Sequence, residues 1–236
     1  MKPIYYMQSN SKWGKLPFTS TNNPKQTIAS SGCGTTCAAM VLATLLNDAT
    51  ILPDFTAKLC VNNGFRTVND GTDFKFFPFI AKKYGLELIE CYKTDEAVKH
   101  LQEGALVICS MTGIKDSKGN VIASGYFTKG GHFILAYDVK DGNIIVNDPN
   151  STIRTKASIE IFKQQCQKYF IFTKAEVKTM NWKEILEKVS EQSPDWEKAI
   201  TTAQNVAIAD GNLGDLEIFK YLPQLIEKVY EMSPKK

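Results

Sequence analysis

Nothing constrains the fold of this 236-residue chain more than the run Ala38-Ala39-Met40-Val41-Leu42-Ala43-Thr44-Leu45-Leu46. Its residues are small or apolar on every side, so a helix built from them has no face to give to water and must pass through a core. The length of the stretch favours helix over strand, and residues 35–47 read as a buried helix. Immediately before it stands Ser31-Gly32-Cys33-Gly34-Thr35-Thr36-Cys37. A cysteine placed where a loop becomes a helix lies at the positive end of the helix dipole, which lowers its pKa and favours the thiolate. The flanking glycines have no Cβ to obstruct an approaching substrate. Cys33 is therefore the candidate nucleophile, and its own backbone N–H can donate to an oxyanion. Cys37, one turn on, is expected in the core.

The chain has two histidines, so a base for that thiol is His132 or His100. His100 stands in Lys99-His100-Leu101 of a charged predicted helix, where a solvated position is expected. His132 follows Gly130-Gly131 and opens a strand, at a rim where reactive groups are displayed. Residues 132–139 and 143–147 read as a hairpin joined by Lys140-Asp141-Gly142. A three-residue loop with Gly142 in the left-handed conformation sets Ile134 opposite Asp148, and Asp148 then lies diagonally from His132 on one face. A two-residue loop would throw the pair onto opposite faces. On the three-residue register Asp148 can accept from the imidazole and fix its tautomer. Two glutamines are candidates for a side-chain donor to the oxyanion, Gln8 and Gln26. Spacing alone favours Gln26, which cannot be far from the thiol.

Residues 1–30, rich in Ser, Thr, Asn and Pro, read as a mostly extended arm. Helices are expected at 74–84 and 95–103, each ended by a glycine, and strands at 105–111 and 168–173. Residues 112–131 form a Gly- and Ser-rich loop long enough to imply function. From residue 174 the texture turns to charged, helical sequence. Asn181 with Glu184 makes a capping box, Ser193-Pro194 opens a second helix and Pro223 a third. The expectation is an α+β domain over 1–173 and a small all-helical unit over 174–236.

A net charge of +3 with no Lys/Arg tract argues against nucleic acid as a partner. No apolar run reaches the roughly 18 residues of a transmembrane segment. Met1 to Tyr6 lacks the apolar core of a signal peptide. Six scattered cysteines suit a chain made and folded in a reducing cytoplasm better than a disulfide scaffold. Asp210 to Glu217 has part of the acidic spacing of a calcium loop but no Glu at the twelfth position, so a linker between helices is expected there. No metal or other cofactor is expected, and the sequence assigns no oligomeric state.

Taken together, Gln8 through Trp13-Gly14, Gly32-Cys33-Gly34-Thr35-Thr36 with Ala38 to Val41, Gly131-His132-Phe133 and Asn147-Asp148-Pro149 keep four motifs in order. This pattern resembles the papain-like cysteine peptidases of family thirty-nine, whose best-known members trim double-glycine leaders from bacteriocins, and more closely the free-standing domains related to them. The resemblance covers residues 4 to about 172. It implies a papain-like fold, with the cysteine-bearing helix packed on an antiparallel sheet. It also implies a triad of Cys33, His132 and Asp148, with Gln8 rather than Gln26 as oxyanion donor. The appended helices and modest size resemble phage endolysins, which implies action on peptidoglycan peptides at the bacterial wall after release from the cytoplasm. Cleavage of leader or general peptides, and a non-catalytic wall-binding or phage structural role, are the alternatives.

Overall fold

The run at 38–46 is buried through most of its length, as its composition requires: residues 34–43 are all buried within one helix, and only Leu46, at its C-cap, is exposed. The computed structural model describes residues 2–68 and 71–175. In chain order the elements are α1 (Ile28–Ser31), α2 (Cys33–Leu45), α3 (Pro53–Asn62), β1 (Arg66–Thr67), β2 (Gly71–Thr72), α4 (Phe76–Lys83), β3 (Leu86–Cys91), α5 (Thr94–Gln102), β4 (Leu106–Thr112), β5 (Ile114–Lys115), β6 (Val121–Ala123), β7 (Gly131–Lys140), β8 (Asn143–Asn147), β9 (Lys156–Ser158), α6 (Ile159–Gln165) and β10 (Cys166–Lys174). The expected helices and strands recur with ends shifted by a residue or two. Residues beyond Ala175, with the expected helical unit and the acidic stretch from Asp210, lie outside the described residues. No helix among the described residues is long and apolar enough to cross a membrane.

Six strands form one antiparallel sheet in the order β3-β10-β4-β7-β8-β9. Side chains alternate between its faces. Leu106, Ile108, Leu135, Phe170 and Phe172 pack on one side in a cluster with α2, α3 and α4. Val107, Ile134, Ala136, Tyr169 and Ile171 pack on the other in a cluster that holds Ala97 and Leu101 of α5 and Phe162 of α6. Sandwiched this way, β4 is buried along its whole length, which is why it reads as a continuous apolar run rather than an alternating one.

The 1–30 arm is not wholly extended. Thr27 and Ser30 cap each other reciprocally and turn residues 28–31 into α1, an element too short to show a hydrophobic period. The 112–131 loop contains the small hairpin β5–β6.

The hairpin that carries the expected histidine and aspartate reaches its register by another route. Its turn is two residues long, Asp141-Gly142, with φ of 49° and 71°. Positive φ at both positions is the twist that a two-residue turn needs to match its strands. Such a turn alone would put the two side chains on opposite faces. An extra residue in β7, Tyr137, lies between the pairs Ala136–Val146 and Asp138–Ile145 and restores the phase. Leu135 then pairs with Asn147, and one step further along Ile134 falls beside Asp148. The destination agrees with the sequence expectation; the loop length assumed for it does not.

Candidate active site

Cys33 is the first residue of α2, with Gly32 at the cap position. The first N–H groups of a helix have no intrahelical partner, so the Cys33 N–H is a ready donor at the positive end of the dipole. The flanking glycines also serve packing. A Cβ on Gly34 would meet the Thr72 side chain at 2.7 Å and the Phe133 ring at 3.0 Å; one on Gly32 would meet the Ile28 carbonyl at 2.6 Å. Bare backbone at Gly34 therefore lets the start of α2 close onto β7, and this approach brings the thiol to the histidine. Gly34→Ala is expected to push the two apart, at a cost of about 1–3 kcal/mol of stability. Turnover should fall at least about tenfold; urea denaturation and peptide-cleavage rates measure the two effects.

His132 is the second residue of β7, paired across the sheet with Met111, and is 8% exposed. Its Nε2–H donates to Asp148 Oδ1 at 2.7 Å, leaving Nδ1 for the sulfur of Cys33. Burial pushes the Cys33 thiol up, but the hydrogen bond and charge of His132 outweigh it. The backbone N–H groups of Phe133 and Gly34 assist, and the thiol sits below its ordinary value. Burial works against a charged His132 too. The hydrogen bonds to Asp148 and Cys33 and the charges of both prevail, and its pKa rises to about 9. Asp148 is 1% exposed. Burial alone would favour its neutral form, yet His132, then Arg154 and the Asn150 N–H, hold it below the usual carboxylate range. These directions agree with one another: each favours a thiolate and an imidazolium beside an ionised buried carboxylate.

Gln8 reaches the same place from the far end of the chain. Its backbone N–H donates to the Pro149 carbonyl at 2.8 Å and its Nε2 to the Ala29 carbonyl at 2.7 Å. The Trp-Gly that follows holds the turn. Trp13 Nε1 donates to the Met7 carbonyl, and the Ala29 N–H donates to the Gly14 carbonyl. Gln8 is buried, and its Oε1 is without a partner. Gln26, which spacing favoured, turns away: its Nε2 donates to Val68, and it does not line the cleft that holds Cys33. His100 of α5 pairs with Glu103 at the C-cap of that helix and is likewise absent from that cleft.

The cleft measures about 710 Å³ and brings Gln8, Cys33 and His132 to one surface. Phe127 and Thr128, from the long loop expected to be functional, form part of its wall. Two contributors escaped sequence reasoning. Gln165 accepts from the Tyr126 N–H at 2.7 Å and so braces that wall. Arg154 Nε donates to Asp148 Oδ2 at 2.6 Å. Neither belongs to a recognisable motif. The only available signal was an Arg six residues past the aspartate, within turn-rich sequence. The arrangement can deprotonate a thiol, hold an imidazolium ready to return the proton, and offer N–H donors to a tetrahedral oxyanion.

No curated protein matches the chain. Among solved structures it is similar to a protein described as a C39-like peptidase from Bacillus anthracis, at 14% identity and a TM-score of 0.44, over 75% of this chain and 100% of that one. It is similar also to a double glycine motif protease from an AMS/PCAT transporter, solved with its leader peptide, at 18% identity and 0.41, over 72% and 91%. The peptidase domain of Streptococcus ComA follows at 16% and 0.37, over 60% and 93%. In sequence, residues 5–178 match the Peptidase_C39 like family. That span holds all four motifs and the whole sheet that displays them, so the chain belongs to the Peptidase_C39 like family and is a cysteine peptidase of papain-like fold.

Proposed function

We infer that the protein is a thiol endopeptidase acting on the peptides of bacterial peptidoglycan. The Cys33 thiolate attacks the carbonyl carbon, forming a C–S bond, and the oxyanion is received by the Cys33 N–H and Gln8 Nε2. His132 gives its proton to the leaving amine as the C–N bond breaks, then deprotonates the water that hydrolyses the thioester. Asp148 keeps the ring oriented throughout. The observation that carries this reading is the hydrogen-bonded chain Cys33–His132–Asp148 ending in an open cleft that Gln8 also lines.

Two features support wall peptides as substrate. The cleft is edged by hydroxyl and amide side chains, among them Ser31, Ser110, Thr128, Asn150 and Gln167, which suit a polar peptide better than an apolar segment. Residues 1–173 are also net basic, which favours an anionic surface. Residues 174–236 are proposed to aid wall binding.

The test is digestion of purified walls. Released amines and fragments sized by mass spectrometry are compared with cleavage of a Gly-Gly peptide. New amines at the stem or crossbridge are expected. Intact walls beside a cleaved Gly-Gly peptide would replace this reading with a leader-type peptidase.

A further inference from the structure

Asp148 has two carboxylate oxygens, and they are held unequally. Oδ1 accepts from His132 Nε2 at 2.7 Å and from the Asn150 N–H at 2.8 Å, whereas Oδ2 accepts from Arg154 Nε at 2.6 Å. The aspartate side chain is fully buried; that of Arg154 is 30% exposed and reaches inward from the β8–β9 connection. The backbone that aims it is fixed from several sides. Ser151 Oγ accepts from the N–H groups of Ile153 and Arg154, and the Tyr5 hydroxyl lies at 3.0 Å from the Asp148 carbonyl and 3.3 Å from that of Ser151. The Gln8 N–H holds Pro149, and the Val146 N–H donates to Thr155 on the other side of Arg154. Arg154 does not line the cleft, so substrate does not meet it.

The rotation of a carboxylate about its terminal bond is soft. With only one oxygen engaged, it can swing that oxygen out of line with the imidazole. A second anchor on the other oxygen removes the freedom, and a guanidinium, charged at all working pH values, can hold a carboxylate in a defined plane. We propose that Arg154 is the positioning residue of this site, its bond to Oδ2 locking the carboxylate so that Oδ1 stays aimed at His132. The proposal rests on the triad assignment above and adds a fourth member that acts only through the aspartate.

The titratable and charged groups facing His132 and Asp148 are Cys33 and Cys37 of α2, Tyr5 of the N-terminal arm and Arg154. Arg154 is the permanent cation of this set. Its loss has two opposed consequences for His132. Freed rotation weakens the bond that favours the imidazolium and lowers the pH at which the ring loses its proton. Removal of a nearby positive charge raises that pH. If Arg154 positions, the first prevails; if it only screens charge, the second does.

The experiment compares Arg154→Met and Arg154→Lys with the unaltered residue. The first readout is the His132 ring titration by NMR, taken in chains that also carry Cys33→Ala, with His100 as internal reference. The expected result is a His132 midpoint at lower pH in Arg154→Met and an intermediate one in Arg154→Lys, which keeps the charge but loses the fixed Nε–H donor. An unmoved or raised midpoint overturns the proposal. In the Cys33 enzyme, kcat should fall about ten- to a hundredfold with KM unchanged, as misorientation by an ångström does. A fall confined to KM also overturns it. Should Arg154→Met fail to fold, Arg154→Lys alone decides, since a wild-type midpoint there shows that the fixed Nε–H donor is not needed and overturns the proposal. The titration needs no substrate, so an inactive enzyme would count against the proposed function while leaving the role of Arg154 measurable.

Discussion

Cys33→Ala is expected to lower peptide cleavage by about a millionfold, leaving only what binding and the oxyanion donors supply. The effect should belong to this sulfur alone. Burial holds the thiols of Cys37, Cys60, Cys91 and Cys109 above their ordinary values, so they remain protonated where Cys33 does not. At Cys33 burial acts in the same direction, but the hydrogen bond and charge of His132 more than offset it. Haloacetamide should therefore alkylate Cys33 faster than these four buried thiols at pH below the ordinary thiol value of 9.0. His132→Ala removes the largest part of the offset, leaves burial opposed only by the Phe133 and Gly34 N–H groups, and should slow that alkylation at least about tenfold. Turnover should trace a bell in pH. Its acid limb marks protonation of the thiolate; its alkaline limb falls near pH 9, where His132 loses the proton needed by the leaving amine. Because the groups are coupled, both limbs describe the pair rather than either residue. Wall lysis or peptide cleavage that survives Cys33→Ala would discard the thiol mechanism.

What could be read from the sequence follows from which signals are local. The buried helix, the Gly-Cys-Gly entry to it and the strand that His132 opens are properties of contiguous residues, and the structure has all three. The relation between His132 and Asp148 is different, since it depends on a register summed over the whole hairpin. There two departures cancelled: the turn is one residue shorter than expected, and Tyr137 adds one residue back. Nothing at Tyr137 announces a bulge, because the residue is as suited to a regular strand as to an irregular one. The glutamine choice shows the limit of spacing. Gln26 is near Cys33 in sequence but is drawn to Val68, whereas Gln8 is brought in through bonds to Ala29 and Pro149, contacts made only once the chain is folded. Arg154 and Gln165 were invisible for the same reason. Each acts through one side-chain hydrogen bond made only in the fold, Gln165 to Tyr126 and Arg154 to Asp148, and a single polar residue in a turn or at a helix end carries no pattern.

Asp148→Asn should lower kcat by about 10²- to 10⁴-fold, the scale seen when an orienting carboxylate is neutralised. Three donors converge on the native side chain: His132 Nε2, the Asn150 N–H and Arg154 Nε. An amide has one oxygen to offer them and brings N–H groups of its own, so one donor must face another in a buried site. If the amide oxygen serves His132, Arg154 is left unpaired; if it serves Arg154, the ring loses its acceptor. Breaking a buried charged pair from one side costs about 3–5 kcal/mol. The pH dependence of that loss has a definite sign. Asp148 is held below its ordinary 3.8, so its contribution is complete above that value and fades as pH falls through the native pKa. His132 is raised from 6.5 to about 9, so its contribution is complete below 6.5 and fades as pH rises through 9. The stability gap between native and Asp148→Asn protein should thus be widest between about pH 4 and 6.5 and should narrow on both sides. The alkaline limb of turnover should move to lower pH in the variant, because His132 has lost the carboxylate that helped hold its proton. Urea denaturation across pH measures the gap. A gap that stays flat from pH 4 to 9 would mean that the carboxylate does not share its charge with the imidazole, and that the ring is oriented by packing alone.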